Sequence, residues 1–120
     1  MKSVDFEKLA KDISEGLVAA RLAAMVGGDG GTCNFDAPQF TFDRSPSAKV
    51  RAQYETAVRA AGLDGFWCTG VFQPRSKNRR FVFGPGCGGQ GSSRTRAAEA
   101  FTKHLERCGW TNVSTYYQAD

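Results

Sequence analysis

The sequence predicts an α+β fold: a single domain over residues 1–120 with a mainly antiparallel sheet packed against about three helices. Three observations lead there. Three segments repeat apolar residues at helical spacing, and short aromatic-rich runs between and after them read as strands. The elements follow in the order α, β, α, β-β, α, β, with no parallel strand–helix–strand unit. A chain of 120 residues, 41% of them hydrophobic, suits one core.

The first helix is expected from Val4 to Met25, capped by Ser3 or Asp5. Phe6, Leu9, Ile13, Leu17, Ala20 and Ala24 form its apolar face. Val18, Leu22 and Met25 add a second stripe, which suits either its own loops or a second copy of the chain. Gly27–Gly31 ends the helix in a loop. Phe35, Phe40 and Phe42 then suggest short strands interrupted by Pro38. Asn34 and Asp36 are expected to brace the turn around Phe35.

The second helix is expected to take its cap from Asp43 or Ser45, with Pro46 at its first position. Val50, Tyr54, Ala57, Val58 and Ala61 make its buried face, and Gly62-Leu63 reads as a Schellman-type stop. Phe66–Phe72 and Arg79–Phe83 read as a hairpin joined by the polar, basic residues Gln73–Asn78. The third helix, Ser93–Cys108, buries Ala97, Ala98, Phe101, Leu105 and Cys108 before Gly109 stops it. The last strand, Trp110–Gln118, turns Val113, Thr115 and Tyr117 to one face, with Trp110 anchoring its start.

The net charge of +4 and a pI near 9.0 favour anionic partners. No apolar run nears the ~20 residues needed to span a bilayer, so no membrane partner is expected. The N-terminus lacks an apolar signal core, which predicts a cytoplasmic protein. Its four cysteines are then expected to be reduced. They form no CxxC pair and His104 is the single histidine, so no metal and no cofactor is expected.

The stretch richest in information runs from Phe81 to Arg96. Aromatic strand residues lead into a loop with glycines at 84, 86, 88, 89 and 91. Ser92 and Ser93 then open a helix whose first turn carries Arg94 and Arg96. A helix N-terminus is partially positive and prefers acids, so cations there are misplaced unless an anion sits nearby. By that reasoning, removing both arginines leaves stability equal or raises it. Small glycines, free backbone N–H groups, hydroxyls and guanidinium forks together describe a phosphate cradle. The candidate ligand-binding residues are Gly89, Gln90, Gly91, Ser92, Ser93, Arg94, Thr95 and Arg96, joined by Asn78 and Arg79 from the hairpin. Arg75, Lys77 and Arg80 add basic charge there, and Phe66 or Trp67 can stack on a base. A surface loop with solvated arginines is the plainer alternative.

Gly84-Pro85-Gly86-Cys87-Gly88-Gly89 matches G-x-G-x-x-G, but a dinucleotide site needs a parallel unit and an acid ending the next strand. Asp120 is the one acid near that place. No GK[ST] or G-x-S-x-G is present, no base is spaced to serve Cys87, and His104 flanks an apolar face. No catalytic residues are assigned, and binding without catalysis is expected.

Two binding classes remain. The α-β-β-α stretch whose last helix opens Ser-x-Thr-Arg-Ala-Ala-Glu-Ala resembles the double-stranded-RNA-binding domain, implying RNA as a partner. It departs from that family in using arginines for lysines and in the strand that follows. The whole layout, with GGTCNFD after the first helix, GGQGSSRTRAAEA opening the third and YYQAD at the end, resembles the phage anti-Thoeris sponge family. That resemblance implies a homo-oligomer that sequesters a cyclic ADP-ribose-type signal in the cytoplasm of an infected bacterium. It implies arginines on the pyrophosphate and aromatics on the adenine.

Overall fold

The computed structural model describes residues 5–26, 36–68, 79–84 and 92–117. Three helices and four strands alternate as α1 (Phe6–Ala24), β1 (Ala37–Thr41), α2 (Ala48–Ala60), β2 (Gly65–Cys68), β3 (Arg80–Phe83), α3 (Ser92–Arg107) and β4 (Val113–Tyr116). The sheet runs β2-β3-β1-β4 and every pairing is antiparallel. The fold is α+β, as the pattern of elements predicts.

The pleat sorts the sheet into two faces. Phe40 pairs with Phe81 and with Val113, while Trp67 pairs with Phe81 and Gly65 with Phe83. These residues share the face that meets the helices. Phe40 stacks on Phe83 at 5.3 Å between centroids, Phe83 meets Phe101 of α3 edge-on at 5.3 Å, and Phe40 meets Tyr54 of α2 at 5.1 Å. Each such pair adds about 0.5–1.5 kcal/mol to the burial itself. Leu9, Ile13 and Leu17 of α1 and Leu105 of α3 close the core above the rings.

Helix boundaries follow from caps. Asp5 takes the N-cap of α1, its carboxylate accepting from Lys8 N at 3.0 Å, so the helix begins at Phe6. Gly62, at φ +78°, gives its N–H to the Arg59 carbonyl while Leu63 N reaches that of Val58, the expected Schellman stop. Gly109, at φ +102°, ends α3 in the same way, with Trp110 N donating to the Leu105 carbonyl.

Some boundaries differ from the expectation. Ser47, not Asp43 or Ser45, caps α2 by accepting from Val50 N at 3.2 Å, so Pro46 lies before the cap. Pro46 instead offers its carbonyl to Arg51 Nη1 at 2.7 Å. Pro38 does not interrupt β1 but sits buried inside it. It pairs with Thr115 of β4, and the ladder to β3 begins one residue later at Gln39, so the missing N–H breaks no β1–β3 rung. β4 starts at Val113 instead of Trp110, because the Trp110 N–H is spent closing α3.

Residues at Gly27–Gly31, at Asn34, in the hairpin connection with Asn78, and in the glycine loop with Gly89, Gln90 and Gly91 lie outside the described residues.

Candidate functional site

The first turn of α3 meets the last turn of α1 and the residue that leads into β1. Arg96 Nε donates to the Ala23 carbonyl at 3.2 Å. That carbonyl belongs to the last turn of α1, at the partially negative end of the helix, where it also accepts from Val26 N at 3.3 Å. Arg94 Nε donates to the Asp36 carbonyl at 3.0 Å, and Thr95 Oγ1 gives its proton to Asp36 Oδ2 at 2.7 Å. Asp36 therefore reaches across to α3 in addition to any bracing of its own turn. No acid stands in the first turn of α3. The arginines thus meet negative charge after all, supplied by a helix end and a main-chain carbonyl of the protein itself. This geometry reverses the expectation that removing them costs nothing.

The other described candidates separate by the face they occupy. Ser92 is exposed, while Ser93 is 2% exposed, so its hydroxyl is not offered to a surface ligand. Arg79 Nε donates to the Phe42 carbonyl at 3.0 Å. Of the two proposed stacking residues, alternation selects one. Trp67 turns to the helices, lies 4.6 Å from the Phe81 ring and donates Nε1–H to Glu55 Oε1 at 2.9 Å. Phe66 turns to the opposite face and is 59% exposed.

That second face holds residues to which sequence reasoning gave little weight. Phe66 pairs with Val82, Val82 with Gln39, and Gln39 with Ser114; Cys68 pairs with Arg80, and Tyr116 with Ala37. The Arg80 guanidinium lies 5.7 Å from the centre of the Tyr116 ring, in cation–π range. Gln39 Nε2 donates to Ser114 Oγ at 3.1 Å, but its buried Oε1 makes no hydrogen bond among the described residues. Burial pushes the Cys68 thiol pKa up, against the nearby Arg80 charge. Strand alternation places Tyr116 on one face in the sequence, whereas no sequence signal marks Gln39. Their proximity to Arg80 depends on sheet order.

The two groups join at the Ala37–Tyr116 pair. Asp36, next to Ala37, holds Arg94 and Thr95, and Tyr116, opposite Ala37, lies beneath Arg80. Tyr117 belongs to the same end. Desolvation, then the charge of Glu99 on α3, raises its phenol pKa, with a smaller push from Asp36. The site gathers cations, aromatic rings and a carboxamide, a set suited to phosphate and base recognition.

An open groove of about 520 Å³ lies elsewhere, between α1 and α2, lined by Phe6, Ala10, Ala52 and Ala57 with Glu7 and Lys49. It includes none of the residues above, and its mixed charge and alanine lining give an anion little to hold. No protein-family model, curated protein or solved structure matches this chain. No helix among the described residues is long and apolar enough to cross a membrane.

Proposed function

We propose that this protein binds and sequesters a small phosphorylated nucleotide of the cyclic ADP-ribose type without altering it, as its resemblance to the anti-Thoeris sponges implies. The observation that carries the reading is the second sheet face. There an exposed Phe66 ring and the Arg80–Tyr116 cation–π pair lie on the face turned away from the helices. In this reading Phe66 stacks the base and the guanidinium groups hold the phosphates. Gly89, Gln90, Gly91 and Asn78 remain candidate contributors by sequence. Among the described residues no acid, base and nucleophile are positioned together at this face, and in this reading the ligand leaves intact.

RNA is the second reading, favoured by the α2-β2-β3-α3 order. That stretch is not a unit by itself, because α3 packs chiefly against α1 and β1 lies between β3 and β4. Calorimetric titration with cyclic ADP-ribose isomers, run beside a short RNA duplex, separates the two. The account expects heat with a nucleotide, little dependence on salt, and recovery of the nucleotide unchanged. A steeply salt-dependent RNA signal, in the manner of multi-phosphate contacts, supports the other reading. No heat with any nucleotide removes the proposal.

A further inference from the structure

At the opposite end of the α1–α3 seam from Arg96, three side chains with metal-binding chemistry converge. Glu15 comes from α1, His104 from α3, and Cys108 from the turn that ends α3. Their ligand atoms all lie within 4.8 Å of one another. His104 and Cys108 are four residues apart on one side of the helix, and the Cys108 N–H still donates to the His104 carbonyl at 3.1 Å. His104 Nε2 is buried and makes no hydrogen bond among the described residues, although Glu15 Oε2 stands 3.5 Å away. A buried ring nitrogen with only this long carboxylate contact and no hydrogen bond among the described residues is costly, which favours a ligand at this point.

The surroundings hold the cluster in place. Asp12, buried one turn before Glu15, accepts from Lys8 Nζ at 2.6 Å and from Trp110 Nε1 at 2.9 Å. Lys8 Nζ also donates to the Cys108 carbonyl at 2.8 Å, fixing the backbone that carries the thiol. The charges facing Cys108 are Asp12 and Glu15 against Lys8, so the carboxylates outnumber the ammonium.

We propose that Glu15, His104 and Cys108 form a divalent-metal site of zinc type, with a carboxylate oxygen, Nε2 and Sγ as protein ligands and solvent as the fourth. Oxygen, imidazole nitrogen and thiolate sulfur are the donors zinc takes in tetrahedral geometry. Its bond lengths set ligand separations of about 3–4 Å, so the cluster closes by roughly 1 Å on binding. Glu15 can make that move, since its side chain is half exposed. The Cys108 thiol loses its proton to solvent as the sulfur–metal bond forms. An ion there ties α1 to the end of α3.

The test is a cobalt(II) titration of the reduced, chelator-treated full chain, read by ultraviolet–visible absorption. One cobalt per chain should bring up a sulfur-to-cobalt charge-transfer band that zinc displaces. Cys108→Ser should abolish the band and Cys68→Ser should keep it. His104→Ala and Glu15→Gln should each weaken cobalt binding by at least about tenfold. Absence of the band, its survival in Cys108→Ser, or its loss in Cys68→Ser overturns the proposal. Should Cys108→Ser not fold, the half-exposed Glu15→Gln decides, and unchanged cobalt affinity there overturns it equally.

Discussion

Arg96 shows how one residue can answer two demands. Its guanidinium sits at the positive end of α3 and reaches the Ala23 carbonyl at the negative end of α1. Arg96→Ala, and Arg94→Ala beside it, should therefore each lower stability by about 1–2 kcal/mol through loss of a charge-assisted hydrogen bond. Chemical denaturation measures this, and a stability equal to or above wild type would return the arginines to a purely ligand-facing role. Sequence marked both residues as out of place, but their carbonyl partners lie 73 and 58 positions away and no local pattern names them. Asp12 was equally hidden. Burial raises its carboxyl pKa, yet hydrogen bonds from Lys8 and Trp110 outweigh that and hold it below the ordinary range. Stability from such a group is present above the unfolded carboxyl pKa, near about 4, and is lost as pH falls through the lower folded value. Asp12→Asn should cost about 1–3 kcal/mol at neutral pH, with the gap to wild type narrowing in acid. A gap that does not change with pH would contradict the account.

Among the described residues α1 packs more extensively against α3 than against α2, and Gly16 permits that seam. A Cβ at that position would stand 2.6 Å from Phe101 Cε1, and the Phe101 ring is fully buried between Gly16 and Phe83. Gly16→Ala should therefore destabilise by about 1–3 kcal/mol despite the better helix propensity of alanine. A calorimetric melting midpoint unchanged or raised would show that the seam relaxes. Elements were the most legible part of the sequence. The apolar face of α1 and the glycine stops at Gly62 and Gly109 follow from local rules of spacing and φ > 0, and the structure has them. The place of Pro38 inside β1 is not legible locally, because its tolerance depends on which neighbouring strand needs its missing donor. The proposed Glu15–His104–Cys108 metal site is not legible in the sequence, because Glu15 belongs to another helix and spacing along the chain does not join it to His104 and Cys108.

Strand order is a property of the whole molecule, and the candidate site depends on it. Alternation alone separates Phe66 from Trp67, but only the order β2-β3-β1-β4 puts Arg80 near Tyr116 and Gln39 between them. Val18, Leu22 and Met25 are 55%, 62% and 80% exposed on α1, the stripe expected to suit either its own loops or a second copy. Light scattering should then find an oligomer that Leu22→Asp converts to monomer, and a monomeric wild type would remove the self-association expected of a sponge. The proposed nucleotide site draws on Phe66, Arg80 and Tyr116 of the second sheet face and on the first turn of α3. Amide chemical-shift mapping on this 13.0 kDa chain, titrated with a cyclic ADP-ribose isomer, tests it most directly. The account predicts saturable shifts at Phe66, Arg80, Tyr116 and the first turn of α3. Shifts confined to the α1–α2 groove, or none at saturating nucleotide, would contradict it.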